Sequence, residues 1–228
     1  MKSIRNLLIS FGVALIFSAS ASATPVNITN AGFETPALGA GGFVFGVPGW
    51  TVGPGGIISS AGVFRPGASQ YPGGVPEGTN VAYTKGPWLS QVLTATLQPN
   101  TIYTLTVDVG YRLDESSHPF TGFTISLLAG NTIIASSSTG TPSAGQWIAA
   151  FASATSLAGN PLLGQPLQIL LTVNSPLPWQ VNFDNVRLDA TAIQSPQIPS
   201  SQVPEPASFA LLGTGLLALI GRRRAARR

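Results

Sequence analysis

Between residues 24 and 199 the acids are Glu34, Glu77, Asp108, Asp114, Glu115, Asp184 and Asp189, and the histidine is His118. Cysteine is absent from the chain. That inventory excludes a thiol nucleophile and a cysteine zinc site, and one histidine is too few for a two-histidine zinc helix. Asp114-Glu115-Ser116-Ser117-His118 forms the most polar stretch of the segment, and Asp108 precedes it closely. Glycoside hydrolysis needs two carboxylates about 5–10 Å apart across one bond, and no spacing here predicts such a pair. His118 reads as a surface loop residue, because no nucleophile, base and orienting group surround it in the sequence. No residue is assigned a catalytic role.

Sugar binding asks for less: an aromatic surface for the apolar face of a ring, and polar groups for its hydroxyls. Trp88 follows Gly86-Pro87 and Trp179 follows Pro176-Leu177-Pro178, turn positions where a ring can be exposed. With Tyr111 they are the candidate glycan-binding residues. Trp147 falls inside an alternating run and is expected in the core. The glycine-rich stretch 39–56 lacks the Lys-Ser/Thr pair of a phosphate-binding loop and is expected as loop plus a short edge strand.

The elements holding these residues are predicted to be strands. Runs at 80–84, 89–94, 101–109, 123–128, 133–137, 146–152, 167–173 and 181–188 are β-rich and alternate, and Gly, Pro, Asn and Ser punctuate them. No helix of more than two turns is expected between the termini. The expected fold class is all-β, a jelly-roll-like antiparallel β-sandwich over residues 24–189.

The chain has 228 residues, of which 8% are charged, against about 25% in an average soluble domain. Its net charge of +3 comes from the ends. Residues 24–199 hold four basic side chains (Arg65, Lys85, Arg112, Arg187) against the seven acids above, a balance of 4 − 7 = −3. A nucleic-acid partner, which needs a basic face on the folded domain, is therefore not expected. At the N-terminus Lys2 and Arg5, an apolar stretch and Ala21-Ser22-Ala23 read as a signal peptide over 1–23, which engages signal peptidase and the export machinery. A Ser/Pro/Gln-rich linker is expected over 190–202. The apolar run 207–220 would rise about 21 Å as a helix, short of a hydrocarbon core of about 30 Å. The arginine-rich tail 221–228 would hold it in the membrane with the domain outside.

Val203-Pro204-Glu205-Pro206, the short apolar helix and the basic tail resemble, in that order, the PEP-CTERM sorting signal of Gram-negative bacteria. The resemblance implies an exosortase as partner and a precursor anchored in the inner membrane through the C-terminal helix. Delivery to the cell surface or an extracellular matrix would follow. A second resemblance lies in the cargo. Asn30-Ala31-Gly32-Phe33-Glu34-Thr35-Pro36 with Pro48-Gly49-Trp50, and the closing Phe183-Asp184-Asn185-Val186-Arg187-Leu188, are similar to galactose-binding-like jelly rolls and carbohydrate-binding modules. That family implies a structural Ca²⁺ held by Glu34 and Asp184. The same segments resemble the Stig cyclases, which use an aspartic acid in an aromatic pocket; Asp108 and Asp114, with Tyr111 nearby, are the candidates here. The expected function is noncatalytic association with extracellular polysaccharide. The alternatives are a structural matrix protein without a defined ligand and a calcium-dependent cyclase-like enzyme.

Overall fold

Strand alternation builds two facing sheets. The computed structural model of the chain describes residues 22–54, 60–174 and 179–194. Most of the signal segment, the end of the linker, and the sorting segment with Val203, Pro204, Glu205 and Pro206 lie outside them. The strands are β1 (Ala23–Pro25), β2 (Phe43–Phe45), β3 (Thr51–Val52), β4 (Ala61–Phe64), β5 (Val81–Thr84), β6 (Leu89–Thr96), β7 (Thr101–Tyr111), β8 (Phe123–Ala129), β9 (Thr132–Ser137), β10 (Gln146–Ser156), β11 (Pro166–Val173) and β12 (Val181–Ala192). A 3-10 turn covers Leu113–Glu115, and no α-helix occurs among the described residues.

One sheet runs β10-β7-β12-β5-β4-β2, with β1 also paired to β12; the other runs β3-β6-β11-β8-β9. Every ladder between these strands is antiparallel. Alternate residues of each strand meet between the sheets: Tyr103, Leu105, Val107 and Val109 from β7, Leu167, Ile169 and Leu171 from β11, Ile125 and Leu127 from β8, all buried. The fold is thus the all-β antiparallel sandwich expected.

Three details differ from the sequence reading. Strands β1, which begins at the last residue of the expected signal peptide, and β4 were not expected, and β12 runs to Ala192, pairing Ala190, Thr191 and Ala192 with Tyr103, Ile102 and Thr101. The first residues of the expected linker therefore complete a ladder, because β7 presents backbone partners to them. Trp147 is not in the core. Its strand turns the small Ala150, Ala152 and Ala154 inward, which leaves Trp147 half-buried on the opposite face.

Strand β12 carries the decisive irregularity. A bulge interrupts its ladder to β7 between Asp184 and Arg187, and Asn185 there takes a positive φ of 51°. The extra residue restores inward pointing for Val186 and Leu188 after Phe183. Asn182 and Asp184, which flank the inward Phe183 ahead of the bulge, lie on the sheet's outer face by alternation.

Candidate ligand-binding groove

The outer face of the seven-stranded sheet carries a row of residues in register. Asn182 pairs with Tyr83, Tyr83 with Gly62, and Gly62 with Phe45. Two residues along each strand, Phe43 stands opposite Phe64. The Phe-Val-Phe alternation of β2 puts both phenylalanine rings on one face, 5.5 Å apart between centroids. Phe64 meets Tyr83 edge-on at 6.0 Å. These rings line an open groove of about 340 Å³ with Gly41, Lys85, Arg112 and Gln180. Phe43 is 60% exposed and Phe45 52%, so their faces are accessible.

Gly62 lets β2 lie close to β4. A Cβ there would run into the carbonyl oxygen of Val44 and lie 2.9 Å from the Tyr83 ring. Gly62→Ala is expected to shift β2 and its two phenylalanines at a cost of about 1–3 kcal/mol, measured as a lowered Tm.

The polar side of the groove is fixed by charge. Arg112 lies 5.6 Å over the Phe64 ring and donates to Asp114, with Nε to Oδ1 at 2.8 Å and a second contact from Nη2 to Oδ2. Gln70 Nε2 donates to Asp114 Oδ2 at 3.0 Å. The Arg112 hydrogen bonds hold the Asp114 carboxyl below the usual carboxylate range. Glu115 sits 3.7 Å from Arg112 and accepts the Gln180 N–H at 3.3 Å; burial nonetheless pushes its carboxyl up. Gln180 is 5% exposed, and its Nε2 has no hydrogen-bond partner.

Beside the groove lies a buried layer. Tyr71 donates its hydroxyl to Asn182 Oδ1 at 2.7 Å and packs on Trp147 with centroids 4.5 Å apart. Asn182 Nδ2 donates in turn to the Ala82 carbonyl at 3.2 Å. Burial pushes the Tyr71 phenol far up, so it stays neutral. Asp184 is fully buried and accepts the N–H groups of Glu77 (3.0 Å) and Asn185 (2.7 Å). Burial, reinforced by the carboxylates of Glu77 and Asp108, pushes its carboxyl up to about 8. Asp108 faces Asp184 across the ladder and accepts Asn185 Nδ2 at 2.9 Å. Glu34 accepts the N–H groups of Thr79 (2.8 Å) and Asn80 (2.7 Å) and the Thr79 hydroxyl (3.2 Å). Glu34 and Asp184 thus grip the same segment, 77–80, from two sides.

The glycan candidates from sequence do not line the groove. Trp88 packs where a Cβ on Gly53 would stand, at the start of β6 in the other sheet. Trp179 stacks on His118 with centroids 3.3 Å apart. Tyr111 donates its hydroxyl to the carbonyls of Glu115 (3.0 Å) and His118, and its ring lies 5.5 Å from Phe120. Tyr111, His118 and Trp179 therefore brace the 112–120 loop that presents Arg112. The groove residues missed in the sequence were Phe43, Phe45, Phe64, Lys85, Arg112 and Gln180. The Phe-Val-Phe alternation inside the glycine-rich stretch was the signal for two of them.

Comparison with known proteins gives two family matches: the HpiC1-like family (HpiC1 cyclase) over residues 24–189, and the PEP-CTERM protein-sorting motif over 202–225. The motif marks the chain for export and exosortase processing from a membrane-anchored precursor in a Gram-negative bacterium. No curated protein matches. Among solved structures, the Stig cyclase Fisc of Fischerella sp. TAU in complex with (3Z)-3-(1-methyl-2-pyrrolidinylidene)-3H-indole is 32% identical, with a TM-score of 0.69 over 76% of this chain and 100% of that one. A cyclase of Fischerella sp. TAU in complex with 4-(1H-indol-3-yl)butan-2-one is 31% identical, with a TM-score of 0.67 over 76% and 100%. The carbohydrate-binding module TmCBM61 with β-1,4-galactotriose is 15% identical, at 0.48 over 70% and 94%. From its opening strand to the bulged closing one, the chain belongs to the HpiC1-like cyclase family.

Proposed function

We propose that this domain is a noncatalytic, glycan-binding member of its family, carried to the cell surface or extracellular matrix by its sorting signal. The observation that carries the reading is the pair of exposed rings, Phe43 and Phe45, on one face of β2 beside donors from Lys85, Arg112 and Gln180. An open aromatic strip with a donor rim suits a sugar ring, whose apolar face stacks while its hydroxyls accept hydrogen bonds.

Three of the acids, Asp108, Asp114 and Asp184, support binding over acid catalysis. A general acid must reach its substrate with a proton to give. Asp114 is held ionised by Arg112, Asp108 is engaged with Asn185, and Asp184, which does hold a proton near neutrality, is buried and does not line the groove. The residue facing the buried Tyr71 hydroxyl is an amide, Asn182.

The test is affinity electrophoresis of the exported chain through gels containing extracted bacterial exopolysaccharide. Wild type is expected to be retarded. Phe43→Ala with Phe45→Ala is expected to lose affinity by about tenfold per ring, with stability within about 0.5 kcal/mol because both side chains are exposed. Unretarded migration of the folded wild type overturns the glycan reading and favours a structural matrix role.

One observation favours a second reading, a cyclase-like enzyme: the 31–32% identity to cyclases solved with indole ligands extends over those whole chains. Calorimetric titration with 4-(1H-indol-3-yl)butan-2-one discriminates. Saturable binding of that indole in the absence of any glycan binding decides for the second reading.

A structural Ca²⁺ held by Glu34 and Asp184 belongs to the proposal. Calcium takes about 6–8 oxygen ligands and tolerates mixtures of carboxylate, amide and carbonyl oxygens. Asn80 Oδ1 is buried without a hydrogen-bond partner, while the Asn80 N–H binds Glu34. A buried Asp184 crowded by Glu77 and Asp108 is a charge that a cation relieves. Among the described residues no three His, Cys, Asp or Glu side chains converge on one point, so Asn80 and carbonyl oxygens would complete the shell. The bound ion would supply positive charge that fastens segment 77–80 to the ends of the sandwich.

A further inference from the structure

The polar groups of the groove are unbalanced in one direction. Lys85, Arg112 and Gln180 all offer N–H groups. Arg112 spends two of its nitrogens on Asp114 and approaches Glu115 with a third. Lys85 makes no ion pair among the described residues, where both recorded pairs belong to Arg112. Gln180 Nε2 is a desolvated donor without an acceptor, on a side chain 5% exposed. Lys85 and Gln180 follow and precede the paired Thr84 and Val181, so they stand one register step apart from that pair on neighbouring strands. An unmet buried donor beside an ammonium that makes no ion pair and acts on Glu115 only through space, next to exposed aromatic rings, asks for an acceptor that is also an anion.

We infer that the groove selects an acidic sugar, a uronate whose ring stacks on Phe43 and Phe45 and whose carboxylate accepts from Gln180 Nε2 and pairs with Lys85. This rests on the glycan reading above and narrows it to a ligand class. A neutral hydroxyl satisfies Gln180 but leaves Lys85 without an ion pair, whereas a carboxylate answers both. Asp114 is already engaged by the Arg112 guanidinium, which offsets its charge toward an incoming anion.

The experiment titrates the full chain in detergent with galacturonate and mannuronate hexamers and with their methyl esters, which keep the backbone and remove the charge. The acids are expected to bind about tenfold more tightly than the esters, a charged against a neutral hydrogen bond, and the advantage should shrink with added salt. Lys85→Met is expected to bring acid affinity down to that of the ester. Phe43→Ala should weaken acid and ester alike. Gln180→Glu, checked for folding by near-ultraviolet circular dichroism, should reverse the preference. Equal binding of acid and ester by wild type overturns the inference and leaves the glycan reading standing. Binding of neither overturns both. A full acid preference retained in Lys85→Met also overturns it.

Discussion

Phe183→Ala is expected to destabilise the domain by about 3–5 kcal/mol, the cost of emptying a ring-sized site in a packed core. Phe183 is fully buried on β12, between its ladder partners Ala82 of β5 and Val109 of β7. It points between the sheets, so no solvent-side relaxation fills the space, and its neighbours are held by ladders on both sides. Because β12 is the inner strand that also places Asn182 and Asp184, the loss reaches the groove as well as the core. The measurement is urea denaturation, where the midpoint should fall at an unchanged slope. Phe151→Ala is the control: that ring is 59% exposed on edge strand β10, and its removal is expected to change stability by about 0.5 kcal/mol or less. Similar costs at the two positions would contradict this account of the core.

The second large effect is electrostatic and depends on pH. The Asp184 carboxyl is pushed from its ordinary value of 3.8 up to about 8 in the folded chain, first by burial and then by Glu77 and Asp108. Between those two values the folded state holds a proton that the unfolded state has released, so stability falls as pH rises. In chelator, stability is expected to decline from about pH 4 to pH 8, by on the order of 5 kcal/mol at most. Calcium needs the ionised carboxylate, so its stabilisation should be larger at pH 8 than at pH 5. At a hundredfold excess over Kd it amounts to about 2.7 kcal/mol.

Asp184→Asn is expected to flatten the decline in chelator and remove the calcium increment together. Glu34→Ala should remove the calcium increment while leaving the decline. Melting curves with calcium and with chelator at pH 5 and pH 8 read all four quantities. A flat profile for wild type in chelator would mean that Asp184 is ionised throughout; a calcium increment surviving in Asp184→Asn would place the ion elsewhere.

Much of the sandwich was legible because period-two alternation is a local property. β7, β8 and β11 each carry apolar residues at every second position that turned inward, and β12 does so on either side of its bulge. The sorting signal was legible for a similar reason: its three parts are contiguous and are read as a linear address. The opening and closing segments likewise carried their family resemblance in short runs of adjacent residues.

Alternation says that a strand has two faces and does not say which one meets the other sheet. In β10 the large Trp147 and Phe151 face outward and a row of alanines faces in, because the interior near that edge is already filled by larger neighbours. β4 is four residues long, too short to display a period. The groove escaped prediction for a stronger reason. Tyr71 meets Asn182 across 111 residues, and Gln180 meets Glu115 across 65; pairings of that separation leave no local trace in composition. By itself the sequence determined the class of fold, the address and the lack of thiol or multi-histidine chemistry, since these follow from residue type and near-neighbour spacing. Only the tertiary structure decided that Phe43, Phe45, Lys85, Arg112 and Gln180 share one surface, because ladder register chooses which strands stand side by side and the face on which each side chain emerges.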